Sequence, residues 1–200
     1  MLVAARVAAP SIAFEGWTSR QGPPSIQGVK DGRLAAGPLL ELVGKAGRDG
    51  ADGIVIGCFD DTLLAEAAAV APCPVVGIGQ AAYHYCALRQ WRFSVVTTLS
   101  VSVPVIEENI ASYGLTGVLG RVRASEVPVL DLDRSPEAAI PPILGEAERA
   151  VHDDGVDAVI LGCAGMIHVT SALREALPVP VIEPVEAATG CIAWLTGSAC

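Results

Sequence analysis

Basic side chains are scarce in this chain: 13 lysines and arginines stand against 22 aspartates and glutamates in 200 residues, a net charge of −9. No basic cluster interrupts that balance, which excludes nucleic acid and anionic membrane surfaces as partners. Long apolar runs are missing too. None reaches the ~18–20 residues a helix needs to cross a bilayer. Residues 1–9 are too short an apolar stretch to read as a secretory signal, and Arg6 sits in their middle. The expected location is the cytoplasm. The six cysteines (Cys58, Cys73, Cys86, Cys163, Cys191 and Cys200) form no C-x-x-C pair and lack the density of a disulfide scaffold. Only His84 and Cys86 lie close among histidines and cysteines, and an i, i+2 pair diverges on either a strand or a helix. No metal site is expected. Neither G-x-G-x-x-G nor a P-loop is present, so no nucleotide cofactor is expected either.

What remains is a chain that is 52% hydrophobic and only 18% charged. Such a composition excludes disorder and predicts that some surface is buried in a homo-oligomer. Its most informative feature is an internal duplication. Ile54-Val55-Ile56-Gly57-Cys58-Phe59 reappears as Val159-Ile160-Leu161-Gly162-Cys163-Ala164, an offset of 105 residues between positions 58 and 163. The match extends upstream, where Asp49-Gly50-Ala51-Asp52-Gly53 answers Asp154-Gly155-Val156-Asp157-Ala158. Downstream, Pro74-Val75-Val76-Gly77 answers Pro180-Val181-Ile182-Glu183 after one inserted residue. Two related half-domains, each with a cysteine at a strand end, explain the pattern.

Patterning predicts short strands over 11–15, 53–57, 74–78, 93–98, 118–123, 158–161 and 179–182, with an extended piece at 127–130. Helices are predicted over 38–48 (Pro38 in the first turn), 61–71, 80–89, 104–113, 136–153, from about 165, and over 185–195. Asp60, Asp61 and Thr62 are the candidate caps of the second of these. Residues 16–28 read as a loop. Alternating strands and helices call for an α/β fold of parallel sheets flanked by helices. Ligands of such sheets sit beyond the carboxyl ends of the strands, where both Cys58 and Cys163 fall.

At these residues a resemblance emerges. Gly57-Cys58-Phe59, Arg92-Phe93-Ser94-Val95-Val96-Thr97-Thr98 and Leu161-Gly162-Cys163-Ala164-Gly165-Met166 resemble the hydantoin and allantoin racemase branch of the aspartate/glutamate racemase superfamily. Pro74-Val75-Val76-Gly77-Ile78 and Gly22-Pro23-Pro24-Ser25-Ile26 fit the same branch. The resemblance spans roughly residues 11–195. It implies two pseudo-symmetric α/β lobes with the site in the cleft between them, no cofactor, and one catalytic cysteine from each lobe, Cys58 and Cys163. The lobes correspond to residues 1–97 plus 184–200 and residues 98–183. The chain departs from the family in starting after its opening strand and Asn-Pro-Asn-Thr-type segment, so the first lobe is expected to lack a strand and some substrate contacts. Asp60 and Gln80 also stand where the family usually has glycine and often has glutamate.

Two thiols suit such chemistry. Racemisation without a cofactor needs two acid–base groups on opposite faces of one carbon. A helix N-terminus lowers a thiol pKa toward neutrality, which is the expectation for both cysteines, whereas a carboxylate at Asp60 opposes it at Cys58. Cys163 is therefore the expected readier thiolate. Gly57 and Gly162 permit the sharp turn, and the amides after each cysteine, at Phe59, Asp60, Ala164 and Gly165, offer donors to an enolate oxygen. Thr97 and Thr98, at a strand's carboxyl end, are substrate-binding candidates. A lone strand-end cysteine is ordinarily an inert apolar residue, and Cys73, Cys86 and Cys191 keep that reading. Cys200 reads as a terminal thiol. His168 reads as a helix-surface histidine, and Tyr83, His84 and Tyr85 as a helix face at a lobe or subunit boundary. Glu183 and Glu186 are weak candidates for orienting substrate. The small-molecule partner is thus a 5-substituted hydantoin, allantoin or a related compound. A maleate cis–trans isomerase, an arylmalonate-type decarboxylase and a non-catalytic binding remnant are the alternatives.

Overall fold

A strand buried at every position must be covered on both faces, and two such strands form the middle of this molecule. The computed structural model describes residues 1–197, and Cys200 lies outside them. In chain order the elements are α1 (Leu2–Ala8), α2 (Val29–Arg48), β1 (Ile54–Ile56), α3 (Leu64–Val70), β2 (Val75–Gly77), α4 (Ile78–Leu88) and β3 (Phe93–Thr97). There follow α5 (Val103–Ser112), β4 (Leu119–Ala124), α6 (Val129–Arg134), α7 (Pro136–Asp154), β5 (Ala158–Gly162), α8 (Thr170–Ala176), β6 (Val181–Ile182) and α9 (Pro184–Leu195).

Strands β3 and β5 are buried along their whole length and pair in parallel at the centre of a four-stranded sheet ordered β4-β3-β5-β6. Their side chains alternate between two cores. Phe93, Val95 and Ile160 meet Ile78, Tyr83, Ile106, Ile110 and Ile192 of α4, α5 and α9. Val96, Val159 and Leu161 meet Ile143, Ala147 and Leu173 of α7 and α8. Each fully buried aliphatic side chain contributes ~1.5–3 kcal/mol, so the helices on both faces are held chiefly by these contacts. Strands β1 and β2 pair in parallel as a separate two-stranded sheet, Ile54 with Val75 through Ile56 with Gly77. Val43 of α2 and Leu64 and Ala67 of α3 cover it. The fold is thus α/β with two parallel sheets flanked by helices.

Four local expectations need correction. Residues 11–15 form no strand: Ile12 and Phe14 alternate with exposed neighbours as a strand would, but no other strand pairs with them. Residues 129–130 open α6 rather than extending. Helix α2 begins at Val29, so Pro38 sits in its interior. The carbonyl that Pro38 leaves unmatched belongs to Leu34, which is 58% exposed and open to hydration. Helix α3 is shorter than expected, because residues 58–63 form an irregular turn.

Among the described residues, no helix is long and apolar enough to cross a membrane.

Candidate active site

Strands β1 and β5 both end on one cavity of about 600 Å³, and Cys58 and Cys163 both line it. Gly57, Phe59, Asp60, Thr98, Gly162, Ala164 and Gly165 line it with them. Thr97 does not. It is 1% exposed, and its hydroxyl donates to the Gly162 carbonyl at 3.2 Å, bracing β3 against β5 where the cysteine follows. The loop residues Gly22 to Ile26 form part of the cavity wall. Gln27 fastens that wall to the far side of the cavity: its Oε1 accepts the Val129 amide at the start of α6, at 3.0 Å.

The two cysteines are held differently. Cys163 is the N-terminal cap residue of a 3-10 turn, Ala164–His168, and its carbonyl accepts the Met166 amide at 3.1 Å. Cys58 is followed by a turn with two non-glycine residues in the left-handed region, Asp61 at φ 47° and Leu63 at φ 56°. Such backbone costs roughly 1–3 kcal/mol per residue and persists only where its surroundings hold it. Here Asp61 does so. It caps α4 instead of α3, accepting the Gly79 amide at 3.1 Å, the Gln80 amide at 2.7 Å and the Tyr113 hydroxyl at 3.0 Å. Gly77 is required beside it, since a Cβ there would lie 2.6 Å from Asp61 Cγ. Asn109 Nδ2 donates to the Asp60 carbonyl at 2.8 Å, and Thr62 Oγ1 donates to Cys58 Sγ at 3.4 Å.

Electrostatics reverse one expectation. Neither thiol is lowered toward neutrality. Burial, then the Asp60 carboxylate, pushes Cys58 up to about 12, against hydrogen bonds from Thr62 and the Asp60 amide. Burial also pushes Cys163 up to about 11, although the Gly165 amide opposes it; Asp60 and Asp133 add to the rise. The reason is that burial outweighs the local turns. Cys58 lacks a helix directly behind it, and a single 3-10 turn behind Cys163 does not offset desolvation. Asp60 is raised to about 6 by burial, restrained by the Gly28 amide and the Ser102 hydroxyl.

Other residues move between surface and site. His168 lines the cavity beside Asp133, Nε2 to Oδ1 at 3.2 Å, rather than facing away from it. Ser102, Asp133 and Thr189 are cavity residues with no sequence signal. Tyr83 is a core residue, edge-on to Phe59 with centroids 5.4 Å apart and stacked on Phe93 at 5.9 Å. Glu183 and Glu186 lie outside the cavity. Glu183 caps α9 through the Val185 and Glu186 amides, and Glu186 pairs with Arg174 at 2.7 Å. Among the described residues no group of three His, Cys, Asp or Glu side chains is placed to hold a metal ion.

A family model for Asp/Glu/hydantoin racemases matches residues 1–192. The chain belongs to that family. It is 41% identical over 176 residues to a hydantoin racemase of Rhizobium meliloti, covering 88% of this chain and 73% of the relative. The solved allantoin racemase of Klebsiella pneumoniae superposes with a TM-score of 0.87 at 32% identity, over 98% of this chain and 82% of that one. Arylmalonate decarboxylase shares the fold alone, at 15% identity and a TM-score of 0.63 over 84% of this chain and 78% of that one. The protein is accordingly an isomerase of the racemase type.

Proposed function

We propose that Cys58 and Cys163 are the two bases of a cofactor-independent racemase acting on a 5-substituted hydantoin, allantoin or a related small compound. The observation that carries this reading is that two duplicated strand ends deliver one sulfur each to a single cavity. Charge on Cys163 is the last of the causes that raise Cys58. The substrate's C5–H adjoins a carbonyl. One cysteine, as thiolate, takes that proton and becomes a thiol, leaving an enolate. The opposite thiol then delivers its own proton to the other face of C5 and is left as the thiolate. No bond other than C–H and S–H is broken, and the two cysteines exchange roles for the opposite enantiomer.

The amides of Phe59, Asp60, Ala164 and Gly165, with the backbone turns at Gly57 and Gly162, are the proposed donors toward substrate oxygens. Thr98 is a further substrate contact, and Thr97 a brace behind it. Among the described residues no lysine or arginine side chain lines the cavity, whereas Glu15, Asp60 and Asp133 do. That balance favours an uncharged ring over a dicarboxylate and argues against the maleate isomerase and arylmalonate decarboxylase readings. We also propose a homo-oligomer in the cytoplasm; Leu88 and Trp194, 81% and 71% exposed, support the oligomer.

Incubation of a single hydantoin enantiomer in D₂O tests the reaction class. Loss of optical rotation with deuterium at C5 is expected. Release of CO₂, cis–trans change, or no exchange with any hydantoin would each replace this reading with one of its alternatives.

A further inference from the structure

We propose that Asp60 is a charge gate of the thiol pair: its carboxylate adds to burial in holding Cys58 and Cys163 as thiols until a substrate N–H docks against it, and so shifts the pH at which racemisation begins. The inference rests on the two-thiol reading above and assigns Asp60 a role that acts through the cysteines, in addition to its contact with substrate.

The geometry gives Asp60 a position that no other carboxylate shares. It lies two residues after Cys58, is 9% exposed, and lines the same cavity as both sulfurs. Three elements converge on it. The Gly28 amide before α2 and the Ser102 hydroxyl before α5 both reach Oδ2 at 3.4 Å, and Asn109 of α5 clamps its carbonyl. The clamp prevents the residue from swinging out of the cavity, while contacts of 3.4 Å satisfy a carboxylate poorly. Asp61, its neighbour, is fully engaged in capping α4.

The titratable side chains around it are carboxyls, thiols and a phenol, apart from one imidazole, and Met1 with its α-amino group also lines the cavity. Cys58 and Asp61 stand on its own loop, Tyr83 on α4, Cys163 after β5, Asp133 on α6 and Glu15 in the cavity wall; His168 is already paired with Asp133. Among the described residues, an ionised Asp60 therefore meets no lysine or arginine side chain in the cavity. Its field opposes thiolate formation at both sulfurs, more at Cys58, where it is the second cause after burial, than at Cys163. A ring N–H is the complementary chemistry: a neutral donor that engages the carboxylate and reduces its field at the sulfurs. One thiol then loses its proton to water at the cavity mouth, which supplies the base for the first step. Between turnovers the sulfurs stay protonated and inert to electrophiles, because the thiolate is the reactive form.

The test is Asp60→Asn in the full chain, with iodoacetamide labelling of Cys58 and Cys163 followed by mass spectrometry across pH. The expected result is at least ~10-fold faster labelling of Cys58 at pH 8 and a smaller gain at Cys163. The acid limb of kcat/KM moves to lower pH in the same variant. Unchanged labelling profiles overturn the proposal even if activity falls, since packing alone then explains the loss. Asp60→Ser repeats the measurement if the asparagine variant does not fold. The labelling arm needs no substrate: a shifted titration in an enzyme that racemises no hydantoin would support the gate while removing the functional reading, and the reverse result would do the opposite.

Discussion

The carboxylate of Asp61 accepts the Gln80 amide at 2.7 Å, so the loop that carries Cys58 is also the cap of α4. One side chain thus ties the turn after Cys58 to a helix buried in the larger core. Asp61→Ala leaves the Gly79 and Gln80 amides and the Tyr113 hydroxyl without that acceptor. We expect a loss of about 2–4 kcal/mol in urea unfolding, built from a lost cap and unsatisfied buried donors. Activity should fall with it, because Asp61 and Leu63 hold left-handed backbone only under this restraint. Tyr113→Phe removes one contact of the three and should cost less.

Arg123 and Asp154 make the opposite case for charge. Their side chains are 9% and 8% exposed, 2.6 Å apart, and join β4 to the end of α7. Arg123→Ala should cost about 3–5 kcal/mol, since it strands a carboxylate inside the protein. Asp154 is held below its ordinary value by hydrogen bonds from Arg123 and Ser94, which outweigh its burial. Its stabilising contribution is therefore present above the unfolded carboxylate pKa of about 4 and lost as pH falls through the folded one. Asp61 runs the other way. Burial raises it to about 7, so its contribution is fully present below about pH 4 and is lost as pH climbs to about 7. Unfolding midpoints of Asp154→Asn and Asp61→Asn between pH 3 and 8 separate the two slopes.

Thr62 donates to Cys58 Sγ and is one of the groups that moderates its rise. Thr62→Val removes that donor at nearly constant volume. Iodoacetamide labelling of Cys58 should slow severalfold at a given pH, and kcat should fall with little change in KM. Unaltered labelling would show that the hydroxyl does not act on the sulfur.

Gln27 joins the Gly22–Ile26 wall to α6 through the Val129 amide. With Gln27→Ala the wall loses its one side-chain bond of this kind to the opposite side of the cavity. KM should rise several-fold while kcat and the melting temperature hold. Equal losses in kcat and KM terms would place the effect in folding instead.

Much of this was legible in the sequence, and the reasons are specific. The runs at β3 and β5 are apolar apart from Ser94 and Thr97 because both faces are covered, and the repeat marks Cys58 and Cys163 without any tertiary information. The family motifs add the Gly22–Ile26 wall. What was not legible depends on contacts between distant segments. Asp61 reads as a cap for the next helix, yet its partners lie at residues 79, 80 and 113. The 11–15 segment has a strand's alternation but finds no strand to pair with. His168 and Asp133 enter the cavity only because α6 packs on the turn after Cys163. The thiol pKa shifts escaped for the same reason, since desolvation is set by neighbours and not by the local turn.

The most direct test replaces each sulfur in turn. Cys58→Ala and Cys163→Ala should each lower racemisation of a 5-substituted hydantoin by at least ~10²–10⁴-fold, the contribution of a positioned proton-transfer group. Circular dichroism should match the parent in both. Inversion that persists at the parental rate in either variant would contradict the two-sulfur account outright.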